Sequence, residues 1–236
     1  MPYKLTRVPI NIAGFDSLIE GGFKRGSVNL VAGGAGSGKT IFALQFLVNG
    51  IKNYNEPGIY ITFEEKKKKL YEDMTEFGWD LEKYEKEGKF VFLEYTPEQV
   101  KKVLVEGGGI IDSLVHKMKA KRLVIDSITS FVLLYKDELA KKESSLALFE
   151  LINKWDCTAV LTSQSVVSGA DIITESLEFE VDGIILLYYI KHKGVRRRGL
   201  EILKMRGTKH PGKTFAFKID RNGIIVDPQE VVVFKS

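Results

Sequence analysis

The stretch Gly33-Gly34-Ala35-Gly36-Ser37-Gly38-Lys39-Thr40 fits the spacing G-x-x-x-x-G-K-[ST] in full. Glycines at these places let consecutive backbone N–H groups curl around a phosphate, and a helix starting directly afterwards adds unpaired donors and the positive end of its dipole. Lys39 would reach the β- and γ-phosphates of a nucleotide, and Thr40 would hold Mg2+ through its hydroxyl. The nucleotide-contacting stretch runs from Gly33 through Ile41. A glycine-rich turn with an incidental lysine is the alternative, but it leaves unexplained the strand-like run before the loop and the helix-like run after it.

Hydrolysis of a bound triphosphate needs two further acidic groups, one to set the metal and one to orient or deprotonate water. Leu123-Val124-Ile125-Asp126 ends an apolar run on an acid, with Ser127 next, so Asp126 joins Thr40 as the expected Mg2+ position. Many buried strands end this way, and the assignment draws its weight from the phosphate loop. Ile59-Tyr60-Ile61-Thr62-Phe63-Glu64-Glu65 places two adjacent carboxylates at the end of another strand-like run, on the side where open α/β sheets bind ligands. By spacing alone, Glu64 and Glu65 serve equally well as water-activating groups or as charges in the first turn of the next helix.

These groups can meet only if the runs that carry them are strands of one sheet. Val28 to Ala32, Gly58 to Phe63, Phe90 to Glu94, Leu123 to Asp126 and Thr158 to Ser163 are short, rich in β-branched residues and nearly all apolar, as strands covered on both faces are. Lys39 to Lys52, Lys66 to Phe77, Ile110 to Lys119 and Glu138 to Trp155 alternate with them as amphipathic helices. Strict alternation implies crossover connections and a mostly parallel central sheet flanked by helices. Gly183 to Ile190 and Gly199 to Arg206, joined through Lys191 to Arg198, then read as one antiparallel strand pair. Thr214 to Ile219 and Ile224 to Val226, around Asn222-Gly223, read as a second.

Composition agrees with an α/β globule. The 236 residues are 44% hydrophobic and 28% charged with one cysteine, which excludes a collagen-like repeat, a disordered chain and a disulfide scaffold. No repeat or linker breaks the chain, so one domain over residues 1–236 is expected. Apolar runs fall short of the roughly 18–20 residues of a spanning helix, and the N-terminal residues lack the apolar core of a signal peptide, so the expected location is the cytoplasm. Cys157, in an apolar run, reads as a buried thiol. The net charge of +4 neither demands nor forbids nucleic acid. Lys66 to Lys69, followed by Glu72, Asp73 and Glu76, reads as a solvated helix face.

Taken together, the motifs resemble the RecA/RadA superfamily of ATPases, most closely its KaiC-like branch, over nearly the whole chain. The likeness begins at Gly14 to Ser27, which is similar to the lead-in these proteins carry before the phosphate loop, with Lys24 standing where a proline is frequent. It implies an RecA-type core, ATP and ADP as ligands with Mg2+, and Glu64-Glu65 as the water-activating pair. Leu161-Thr162-Ser163-Gln164 matches the strand that carries a γ-phosphate sensor, which makes Gln164 the candidate; a hydrogen-bonded loop amide is the other reading. Lys204, Arg206 and His210, in Leu203-Lys204-Met205-Arg206-Gly207-Thr208-Lys209-His210, match a KaiC-type element that contacts nucleotide on the adjacent subunit. Without the resemblance they read as a basic strand end.

The resemblance implies a ring, expected to be a hexamer, with slow turnover used for switching and room for a further protein partner. A RadA-like paralogue acting on nucleic acid is the alternative. Against it, Ser165 to Gly183 holds no lysine or arginine but carries Asp171, Glu175, Glu178, Glu180 and Asp182, a charge pattern that repels a polyanion. The short segment before the phosphate loop also lacks the additional domain of RadA-like recombinases. Glu178-Phe179 stands where phosphorylating relatives carry a Ser-Thr pair, leaving Thr174 and Ser176 as acceptors. Arg196-Arg197-Arg198 reads as protection of a strand edge in preference to a phosphate-backbone site.

Overall fold

The computed structural model describes residues 6–164, 167–168, 171–172, 180–192 and 194–233. Strands β1 (Arg7–Val8) and β2 (Phe23–Lys24) pair antiparallel. Strand and helix then alternate through β3 (Val28–Gly33), α1 (Lys39–Tyr54), β4 (Gly58–Thr62), α2 (Lys67–Thr75), α3 (Leu81–Lys86), β5 (Phe90–Glu94), α4 (Pro97–Val105), α5 (Gly109–Met118), β6 (Arg122–Asp126), α6 (Ile128–Val132), α7 (Glu138–Lys154) and β7 (Thr158–Gln164). The short pair β8 (Val167–Ser168) and β9 (Asp171–Ile172) precedes the long strands β10 (Gly183–His192), β11 (Val195–Met205), β12 (Thr214–Asp220) and β13 (Gly223–Val231).

Among the described residues one sheet has the order β13-β12-β11-β10-β3-β7-β6-β4-β5. From β10 to β5 every neighbouring pair is parallel, whereas β10 to β13 form an antiparallel extension. This is the α/β architecture expected from the alternation of apolar runs and helices. The central strands β3 and β4 are buried at every position, because helices cover both faces of the sheet. On one face Phe42 of α1 packs edge-on to Phe15, and Phe46 packs against Phe23. On the other, Leu148 and Ile152 of α7 join Ile125, Leu161 and Leu186 in a second core. No helix among the described residues is long and apolar enough to cross a membrane.

The structure departs from the sequence reading in the β10–β11 connection and in adding helices α3, α4 and α6 and strands β1, β2, β8 and β9. The segment from Lys191 to Arg198 is not a connection: β10 and β11 stay in register through Lys191 with Arg196 and His192 with Val195. Alternating long side chains suit such a ribbon, because Arg196 and Arg198 both cover the Tyr189 ring. Helix α4 was not anticipated, although its start is legible in Thr96-Pro97-Glu98-Gln99. Thr96 N–H donates to Gln99 Oε1 at 2.7 Å and Gln99 N–H to Thr96 Oγ1 at 3.3 Å, a reciprocal cap with proline at the first helical position. The acidic stretch from Ser165 to Gly183 lies largely outside the described residues, as do Thr174 and Ser176.

Other expectations hold. Lys68 and Glu72 pair at 3.9 Å one helical turn apart, and Cys157 is buried, which pushes its thiol up to about 12.

The N-terminal segment is tied to the sheet by Arg122, whose side chain is 0% exposed. Its guanidinium donates to Glu56 Oε2 at 2.8 Å, Phe46 O at 2.8 Å and Pro9 O at 3.0 Å and lies over the Phe46 ring. Space for it exists because position 50 is glycine: a Cβ there would sit 2.3 Å from Arg122 Nε. Burial would raise the Glu56 carboxyl, but the hydrogen bonds and charges of Arg122 and Arg25 outweigh it and hold Glu56 below its ordinary value.

Arg122→Ala is expected to lower unfolding free energy in urea by about 3 kcal/mol, the usual cost of stranding one member of a buried ion pair. The Glu56 contribution has the sign of a depressed carboxylate. It is complete above about pH 4.5 and is lost as pH falls through the folded-state value. The stability gap between the parent chain and Glu56→Gln should therefore close on acidification.

Candidate active site

Parallel strands present their C-terminal ends at one edge of the sheet, and β3, β7, β6 and β4 are consecutive neighbours there. The loop from Gly33 to Lys39 leaves β3 and enters α1. Gly36 and Gly38 have φ of +72° and +101°, a region costly for other residues. A Cβ at Gly38 would also lie 2.9 Å from Ile219 Cδ1. Lys39 Nζ donates to Gly34 O at 3.0 Å. Burial pulls the lysine below its ordinary value, opposed by the charges of Asp126 and Glu64.

Asp126, at the end of β6, accepts three hydroxyl bonds. Thr40 and Tyr60 donate to Oδ2 at 2.8 and 2.7 Å, and Thr162 donates to Oδ1 at 2.5 Å. Burial and the adjacent Asp126 charge hold the Tyr60 phenol well above its ordinary value, so it stays a donor. Glu64 stands beside this group. Its Oε1 accepts from Ser127 at 3.4 Å and Ser130 at 2.5 Å, and its Oε2 from Gln164 Nε2 at 3.5 Å. Thr62 Oγ1 accepts the backbone N–H of both Glu64 and Glu65 and so shapes the turn that separates their side chains. The polar contacts to Ser127, Ser130 and Gln164 belong to Glu64, which separates two residues that spacing left equivalent.

The loop's other flank is built by the antiparallel extension. Arg198, Ile219 and residues Gly36 and Gly38 to Ile41 line a cavity of about 230 Å³. Arg198 Nη2 lies 3.5 Å from Gly36 O, and Tyr189 lies within van der Waals distance of where a Gly36 side chain would start. Tyr60, Thr162, Ser130, Tyr189 and Arg198 were absent from the sequence-based site. Each takes its place through strand pairing or a short helix after a strand, for which local spacing holds no signal.

The residues fit a nucleoside triphosphate with Mg2+. Ser37 Oγ and Arg198 Nε are buried without a hydrogen-bond partner beside the loop, as donors awaiting an anion would be. Thr40 and Asp126 offer hard oxygen atoms 2.8 Å apart. Such a pair suits Mg2+, which takes one or two protein oxygens and fills its sphere with phosphate and water.

Lys204, Arg206 and His210 lie elsewhere. In the sheet register Lys204 is paired with Ile184, and Ile184 with Leu30, three residues before Gly33. At about 3.3 Å per residue that is roughly 10 Å toward the opposite edge. Arg206 lies beyond it, its N–H bonded to Asp182 O at 2.8 Å and its side chain 4.0 Å from the Asp182 carboxylate. Thr208 accepts from Arg7 at 2.6 Å on the same edge, and His210 Nδ1 is buried without a hydrogen-bond partner. The structure thus brings Lys39, Thr40, Asp126, Glu64 and Gln164 together and keeps the cationic triplet apart from them.

Comparison with known proteins places this geometry. The family model described as "ATPase: KaiC" matches residues 8–231. The chain is 35% identical to circadian clock protein KaiC3 of Synechocystis over 97% of its own length and 47% of that protein, so it spans about half of that relative. It is 36% identical to a UPF0273 protein of Methanocaldococcus jannaschii over 97% of its length and 99% of that protein. A solved KaiC-like protein from Pyrococcus horikoshii superposes with a TM-score of 0.82 at 39% identity, over 95% of this chain and 100% of that one. With the phosphate loop, the hydroxyl-bound Asp126 and the sheet order all in agreement, the chain belongs to the KaiC-like ATPase family.

Proposed function

We propose that this chain, as a single domain, hydrolyses ATP to ADP and phosphate at sites shared between neighbouring copies in a ring, in the cytoplasm. The observation that carries the reading is the Glu64 carboxylate, fixed by Ser127, Ser130 and Gln164 beside Lys39 and Asp126. The loop N–H groups and Lys39 bind the phosphates, and Thr40 and Asp126 hold the metal. When bound there, Mg2+ would neutralise phosphate charge. Glu64 accepts a proton from the attacking water as its oxygen bonds to the γ-phosphorus and the bond to the β-phosphate oxygen breaks. Gln164, bonded to the same carboxylate, registers the γ-phosphate. Glu65 has the supporting position in the turn.

The separation of Lys204, Arg206 and His210 from their own phosphate loop supports the shared site. Cations that stabilise charge on a transferring phosphoryl group must reach it, and these residues sit at the wrong edge to do so within one chain. Charge distribution supports head-to-tail contact: from residue 183 onward there are 12 lysines and arginines against 4 acidic residues, whereas residues 1–182 carry a net negative charge. We take the ring to be hexameric, its turnover to be slow, and its use to be switching toward a protein partner.

Glu64→Gln should lower ATP turnover at least 100-fold, in line with loss of a general base, while Glu65→Gln retains most of it. Equal losses would remove the distinction between them. Mixing Glu64→Gln chains with Arg206→Ala chains is expected to restore turnover above that of either alone, since some interfaces then pair an intact base with an intact finger. No recovery, despite demonstrated subunit exchange, would exclude the shared site.

A further inference from the structure

We propose that Tyr189 is a positioning residue for nucleotide binding, its ring holding the Arg198 guanidinium against the phosphate loop. The inference rests on ATP occupying that loop. Tyr189 and Arg198 are direct cross-strand partners on β10 and β11, so their side chains leave the same face of the ribbon. The Arg198 guanidinium carbon lies 4.3 Å from the centre of the Tyr189 ring. Arg196, two residues earlier on the same face, lies 5.1 Å from it and donates to Tyr189 O at 3.0 Å. The ring is therefore covered by two cations that it attracts through its π face.

The same ring lies against the loop: a Cβ built on Gly36 would be 3.5 Å from Tyr189 Cδ1. Tyr189 is thereby a spacer between hairpin and loop, and Arg198 is directed along the loop into the cavity bordered by Lys39 and Thr40. Inside the chain, Arg198 is poorly satisfied. Its contact to Gly36 O is at the outer limit of a hydrogen bond, and Nε is buried with no partner. A guanidinium with buried, unspent donors beside a phosphate loop is poised for an anion. A long arginine has many rotamers to lose, and the stacked ring restricts them before ligand arrives.

The test is equilibrium binding of fluorescent ATP with Mg2+ to the full chain, with thermal unfolding of each variant recorded alongside. Tyr189→Phe keeps the ring face and should bind like the parent. Tyr189→Leu keeps apolar bulk without a π face and should weaken binding about fivefold, a typical cation–π effect, with little change in melting temperature. Tyr189→Ala should lose at least as much. Because Tyr189 acts through Arg198, the Tyr189→Leu/Arg198→Ala double variant should be no weaker than Arg198→Ala alone. Parent-like binding by Tyr189→Leu, equal loss in Tyr189→Phe, or losses that multiply in the double variant would each overturn the proposal. Absence of ATP binding by the parent, or unimpaired binding by Lys39→Ala, would instead bring down the nucleotide reading on which it stands.

Discussion

Asp126 is a nearly buried carboxylate, 7% exposed, and a charge in that position is tolerated only when its oxygens are hydrogen-bonded. Three hydroxyl groups meet the requirement: Thr40 from the first turn of α1, Tyr60 from β4 and Thr162 from β7. One charged group therefore fixes the phosphate helix relative to three strands. The neighbouring Glu64 is held by the same means, through Ser127 and Ser130 at the start of α6 and Gln164 at the end of β7. Thr129 completes the link by accepting the Gln164 N–H at 2.9 Å. The two acids are kept in different surroundings, one enclosed by hydroxyls and one facing outward, a division suited to one metal-setting and one proton-accepting role.

Sheet polarity arranges everything else. The parallel half collects the strand ends at one edge, where the phosphate loop and both acids lie. Strand β11 runs against that direction, so its early residue Arg198 lies beside the loop of its own chain and its late residue Lys204 level with the beginning of β3. A strand of this length spans roughly 20 Å between those positions. The antiparallel extension is thus both a wall of its own nucleotide site and a cationic surface facing away from it.

Much of this was legible in the chain. The phosphate loop, Asp126, the Glu64-Glu65 turn and the alternating elements follow from local patterns of glycine, charge and apolar runs, which act over a few residues. Lys204, Arg206 and His210 were marked through family likeness, since a basic strand end has no distinguishing local pattern. Helix α4 was missed although Thr96-Pro97-Glu98-Gln99 announced its start and the buried Val100 and Val103 recur at helical spacing. Arg198 was read as edge protection because charge on an outer hairpin ordinarily serves that purpose. Its place beside Gly36 comes from the pairing of β10 with β3, which local spacing does not encode.

The sequence by itself determined which groups are available: a glycine-rich loop of phosphate-binding spacing, the Thr40 and Asp126 oxygens, and two carboxylates at a strand end. It also determined the parallel core, since buried strands and crossover helices leave periodic marks. Only the tertiary structure decided that Glu64 bonds Ser127, Ser130 and Gln164, that Tyr60 and Thr162 hold Asp126, and that the cationic triplet lies away from its own loop. Those decisions depend on strand order and register, which bring together residues as distant as Glu64 and Gln164. Contacts of that range are made by packing, and no local pattern records them.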